Sequence, residues 1–98
     1  MSDDFIAPPA FKPDQALMQL KRALRDLRPL SERGAEFILK GQTVIELSAD
    51  DSTLTARLAK RPARSPEWDT RHCRSGADVR SLQDEIKKRL VRWTDETS

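Results

Sequence analysis

One cysteine and one histidine among 98 residues leave little for the commonest catalytic and metal chemistries. Cys73 has no partner for an internal disulfide, which fits a reducing compartment. A zinc site takes about four ligands, mostly Cys or His, and no such spacing is present. His72 and Cys73 are chain neighbours. If they lie on a strand they point to opposite faces, so they cannot form the hydrogen-bonded nucleophile–base pair that covalent catalysis needs. Only three glycines occur, Gly34, Gly41 and Gly76. They stand apart and build no phosphate loop of either standard spacing. Asp50-Asp51 reads as turn chemistry, since a calcium loop would need several more oxygen ligands at regular spacing. No apolar run approaches the ~20 residues of a membrane span. The acidic N-terminus lacks the basic-then-apolar order of a secretion signal. The reading is of a cytoplasmic, non-enzymatic protein with no metal and no cofactor.

What is present is pattern. The length suggests one domain, over residues 13–94, between a flexible tail at 1–12 and a frayed C-terminus at 95–98. The stretch Gly34 to Pro62 organises it. Thr43, Ile45 and Leu47 alternate with Val44, Glu46 and Ser48; Leu54, Ala56 and Leu58 alternate with Thr55 and Arg57. Period-2 alternation marks half-buried strands. A four-residue loop at Ala49–Ser52 sets Leu47 opposite Leu54, Ile45 opposite Ala56 and Thr43 opposite Leu58, with the apolar set on one face. Residues 35–40 read as a preceding strand, joined by a three-residue turn at Gly41–Thr43 or by a bend at Gly41. The rival there is a short helix capped by Ser31. Trp68, Thr70 and His72 alternate with Asp69, Arg71 and Cys73 and predict a fourth strand, at an edge, with Trp68, Thr70 and His72 inward.

Two helices flank the strands. Pro13 suits a first helical position and Asp14 the positive first turn. Leu17, Leu20, Leu24 and Leu27 form a stripe that should stop before Pro29. Ser75 and Asp78 have capping-box spacing, ahead of the stripe Val79, Leu82, Ile86, Leu90 and Trp93. Lys87, Lys88, Arg89 and Arg92 suit that helix's negative end, beyond which Thr94 to Ser98 should fray. The expected core is Leu24, Leu27, Ile45, Leu47, Leu54, Leu58, Leu82, Ile86 and Leu90. Both tryptophans are expected in it; the functional alternative is a stacking platform for bases. The fold class is therefore α+β: a two-layer domain with a three- or four-stranded antiparallel sheet and both helices on one face.

In topology over residues 13–93 this order resembles the double-stranded-RNA-binding domain, helix–three strands–helix with both helices on one face. That family opens its second helix on lysines. Here the opening is Ser75-Gly76-Ala77-Asp78-Val79-Arg80, and no Gly-Pro-x-His turn joins the first two strands. No binding residues are carried over and the family is not assigned.

The charge gives the functional lead. The formal net charge is only +2, but residues 57–92 hold eleven Lys or Arg against five acids. Arg57, Lys60, Arg61, Arg64, Arg71 and Arg74 cluster in and after the third strand, and such a patch suits phosphates. The reading is a binding module for an anionic partner, nucleic acid or an acidic protein surface. The alternative is a protein-interaction or dimerisation module that uses an edge strand or the open sheet face, as a monomer or weak homodimer.

Overall fold

The computed structural model describes residues 11–97. The expected tail at 1–12 lies mostly outside them. Helix α1 (Pro13–Arg25) is followed by strands β1 (Ser31–Arg33), β2 (Glu36–Leu39), β3 (Gln42–Ala49), β4 (Leu54–Ala59) and β5 (Trp68–Cys73), then helix α2 (Gly76–Thr97). The strands form one antiparallel meander in the order β1-β2-β3-β4-β5. Both helices cover one face of it, which makes the two-layer α+β domain that the periodicities imply. Residues 34–40 contribute a strand rather than a helix.

The sheet has five strands where the sequence suggested three or four. β1 is short and wholly exposed, so it carries no apolar alternation to announce it. It is held instead by the β2 ladder and by Glu32, which accepts from Arg25 Nε at 2.6 Å and lies 3.3 Å from Lys21 Nζ. These two cations of α1 tie the edge strand to the helix layer. Helix α1 ends at Arg25, short of Arg28, in a turn that buries Leu30.

Two turns differ from expectation. The β2–β3 connection is a two-residue turn, Lys40-Gly41, with φ of 52° and 84°. Left-handed geometry at both central residues is that of the type I′ hairpin. Gly41 adopts it without strain, whereas Lys40 is rare there. Such a tight turn would throw Phe37 and Ile45 out of step. A bulge between Phe37 and Ile38 corrects this: Leu39 pairs with Gln42 and Ile38 with Thr43, Val44 is the extra residue, and Phe37 then meets Ile45. Consecutive Val44 and Ile45 are both fully buried, as a bulge allows.

The β3–β4 loop spans Asp50–Thr53 rather than Ala49–Ser52, and the register is displaced by two residues. Ile45 pairs with Leu58, Leu47 with Ala56, and Ala49 with Leu54. Asp50 Oδ1 accepts from the backbone N–H of Ser52 at 2.9 Å and of Thr53 at 2.8 Å. Those bonds hold its carboxyl below the usual range and fix the turn one residue later. A shift of two preserves parity, so Ile45, Leu47, Leu54, Ala56 and Leu58 stay inward, whereas the bulge at Val44 turns Thr43, expected inward, to the open side, where it pairs with Ile38.

Strand β5 is inverted relative to expectation. Cys73 pairs with Leu54, Arg71 with Ala56 and Asp69 with Leu58 on the helix side; His72, Thr70 and Trp68 pair with Thr55, Arg57 and Ala59 on the open side. The cause lies in α2, where Arg89 reaches Asp69 Oδ2 at 2.8 Å and so draws that parity inward. The core joins Leu20 and Leu24 of α1, Phe37, Leu39, Ile45, Leu47, Leu54 and Leu58 of the sheet, and Leu82, Ile86, Leu90 and Trp93 of α2. Of the expected core only Leu27 is merely half-buried. Helix α2 opens on the capping pair: Asp78 N–H donates to Ser75 Oγ at 3.1 Å, and Asp78 Oδ2 accepts from Arg74 N–H at 3.0 Å. It runs to Thr97, past the expected boundary.

Candidate functional site

The six basic residues divide. Arg57 sits on the open face of β4. The displaced register sets it directly opposite Glu46, with Arg57 Nη1 to Glu46 Oε1 at 2.8 Å. Its guanidinium also lies 4.7 Å from the ring centroid of Trp68, within cation–π range. Lys60 follows at the end of β4, with Nζ 3.4 Å from Asp69 Oδ1. Its backbone N–H donates to Glu67 O at 2.8 Å and closes the base of a loop. Arg61 and Arg64 are exposed on that loop. These four gather at one end of the sheet.

Arg71 and Arg74 do not join them. Arg71 has helix-side parity, correcting the outward direction expected for it, and its charge reaches Glu85 of α2. Arg74 follows the far end of β5. Six residues at about 3.3 Å each put it some 20 Å along the strand from Trp68. Its neighbours are Asp78 and the β3–β4 turn at Asp50.

Trp68, assigned to the core from its parity, is half-buried on the open face. Trp93 is fully buried as expected, and its Nε1 donates to Ala59 O at 3.1 Å. Beside Trp68 runs a groove of about 680 Å³, lined by Gln42, Thr43, Glu46, Arg64, Ser65 and Pro66 among others. β3 and the turn before it form one wall and residues 63–66 of the loop the other. Arg64 of the loop, Trp68, and Gln42, Thr43 and Glu46 of β3 thus line one groove. Sequence reasoning missed this grouping because it depends on the parity of β5.

His72 and Cys73 lie back to back. His72 is exposed, with Nδ1 3.2 Å from Thr55 Oγ1. Cys73 is buried on the opposite face, and burial, with a contribution from Asp78, pushes its thiol pKa up. A raised pKa disfavours the nucleophilic thiolate. Among the described residues no group of three or more His, Cys, Asp or Glu is placed to hold a metal ion. No helix there is long and apolar enough to cross a membrane.

A second charged cluster is structural. Arg89 of α2 has a side chain only 6% exposed. Its Nε donates to Glu85 Oε2 at 2.8 Å, Nη2 to Asp69 Oδ2 at 2.8 Å and Nη1 to Ala59 O at 3.3 Å. The sequence placed it among the cations that suit the helix's negative end. Its position, three after Ile86 and four before Trp93, is the available signal that it shares their face.

The geometry defines a small antiparallel α+β domain with a polar groove on its uncovered sheet face. No protein-family model, no curated protein and no solved structure matches the chain.

Proposed function

We propose that the chain is a non-enzymatic binding module that meets an anionic partner, nucleic acid first, at the arginine-rich end of its sheet. The observation that carries this reading is the gathering of Arg57, Lys60, Arg61 and Arg64 at one end of the sheet, beside the groove. Arg61 and Arg64 are exposed on the loop and serve as the main contacts, with Arg57 and Lys60, each beside a carboxylate, as their background. Arginine suits phosphate through its planar fork of donors.

Titration against duplex DNA, duplex RNA and single strands at two salt concentrations tests the reading. Affinity for duplex DNA is expected to fall with a log–log slope near −0.9 per phosphate neutralised. Changing Arg61 and Arg64 to Glu is expected to weaken binding and flatten that slope while leaving the melting temperature in place, because both side chains are on an exposed loop. Binding no tighter than ~10⁻⁴ M at low salt, the weak end of non-specific affinity, for all of these ligands would refute it.

A second reading, self-association through β5, rests on a different observation. β5 ends the sheet and is paired on one side only. Asp69 and Arg71 lie two apart on one face of it. Antiparallel pairing of two copies about Thr70 would set Asp69 against the Arg71 of the second copy, twice by symmetry. On this reading light scattering gives a concentration-dependent dimer mass that Arg71→Glu abolishes. A monomer mass for the parent chain up to the millimolar range counts against it.

A further inference from the structure

We infer that Trp68 and the groove beside it are a stacking site for an unpaired base, so that the nucleic acid recognised is single-stranded. The inference rests on the nucleic-acid reading above and names which form of it the site takes.

Position comes first. Trp93 lies wholly within the core, whereas Trp68 opens β5 on the face that no helix covers. Its ring is held in place. Arg57 stacks 4.7 Å from its centroid, and Glu46 fixes Arg57 by a 2.8 Å hydrogen bond from its Nη1. The ring is backed by the core and capped by Arg57, so it loses little freedom when a second planar group meets the part that lines the groove.

Shape and chemistry come next. The groove of about 680 Å³ falls within the ordinary range for small-ligand sites, roughly 300–1,000 Å³, and is large enough for one nucleotide. Its lining offers both senses of hydrogen bond. The Gln42 amide donates and accepts, the Thr43 and Ser65 hydroxyls do either, the Glu46 carboxylate accepts, and Arg64 donates. A purely phosphate-binding surface would not place Glu46 and Gln42 in the same groove. A base edge needs both kinds of partner, and Arg64 at the loop wall suits the phosphate attached to it. In a duplex both faces of every internal base are already stacked, so an aromatic platform selects unpaired bases.

The test uses the full chain, with Trp93 as an internal standard. Binding is measured for oligo-dT, oligo-U, a DNA duplex of equal length and heparin, an anionic polymer without bases. Oligo-dT and oligo-U should quench part of the tryptophan emission of the wild type, and heparin should not. Trp68→Leu should abolish the quenching, leave Trp93 emission constant and weaken single-strand binding by about 5- to 150-fold, the range of one lost base–aromatic stack. Heparin affinity should not change. Trp68→Phe should recover most of the single-strand affinity. Failure of Trp68→Leu to fold would leave the wild-type contrast between oligo-dT and heparin to decide. Salt-dependent nucleic-acid binding that Trp68→Leu leaves untouched, or equal quenching by heparin, would overturn the stacking site alone. Tighter binding of duplex than of oligo-dT and oligo-U would also overturn it. Absence of binding to every nucleic acid would instead remove the reading on which it rests.

Discussion

Ile86→Ala is expected to lower the free energy of unfolding by about 2–5 kcal/mol, the range for deleting most of a buried aliphatic side chain. Ile86 is fully buried at the middle of the α2 stripe, between Leu82 and Leu90, where the helix layer meets the sheet. The loss has two parts: the transfer of the removed methyl and methylene groups, and the cavity left where neighbours cannot close in. Alanine has the higher helix propensity, so the substitution favours α2 locally and the measured loss understates the packing. Val91 is the control. It is on the same helix and 63% exposed, and Val91→Ala should change stability by no more than about 0.5 kcal/mol. Urea unfolding of both variants, with the slope checked for constancy, gives the comparison. Equal effects at the two positions would mean that α2 does not pack as described.

The sequence made the layers legible because burial enforces parity. Ile45, Leu47, Leu54, Ala56 and Leu58 all face the helices, although the ladder is two residues from the expected register. Alternation is blind to a shift of two. What decides it is local and polar: the Asp50 carboxylate gathers the Ser52 and Thr53 N–H groups, and Glu46 then faces Arg57 rather than Thr55. This second consequence matters for the site. Glu36 lies opposite Glu46 in the β2–β3 ladder, a repulsive pair by itself. Arg57 on one side and Arg33, 3.4 Å from Glu36, on the other supply the compensating charge.

The site itself was less legible. In Trp68-Asp69-Thr70-Arg71-His72-Cys73 the two most apolar residues, Trp68 and Cys73, are five apart and fall on opposite faces, so hydrophobicity alone cannot orient the strand. Orientation is decided across the fold, by Arg89 bonding Asp69 and by Cys73 filling the space beside Leu54. Once Asp69 turns toward α2, Trp68 must turn away, and the braced aromatic appears on the open face. The charge pattern correctly indicated a basic loop after β4. It could not separate Arg71 and Arg74 from that loop, because chain proximity along a strand becomes distance along the sheet.

Arg89→Met is expected to cost about 2–4 kcal/mol. The guanidinium joins α2 to β5 through Asp69, to its own helix through Glu85, and to the end of β4 through Ala59 O. Hydrogen bonds to charged groups contribute about 1.5–3 kcal/mol each, and removing one partner of a buried pair costs about 3–5 kcal/mol. Here Asp69 and Glu85 are each about a third exposed, so water recovers part of the loss and the smaller range applies. Methionine keeps the aliphatic reach, so the loss reports charge and hydrogen bonding rather than volume. Arg89→Lys should fall between, because a single ammonium cannot span both carboxylates and the carbonyl as a planar fork does. The variant also carries a pH signature. Arg89, and after it Lys60, holds the Asp69 carboxyl below its ordinary range, and Arg89 does the same to Glu85. A carboxyl with a depressed folded-state pKa contributes stability that is complete above the unfolded-state value, near about pH 4, and is lost as pH falls through the folded value. In Arg89→Met the two carboxyls return toward their unfolded values, so melting temperature should fall less steeply in acid than in the wild type. Some slope should remain, because Glu32 and Asp50 keep their own depressed values. Identical acid limbs in the two proteins would show that the Arg89 cluster does not couple protonation to the fold.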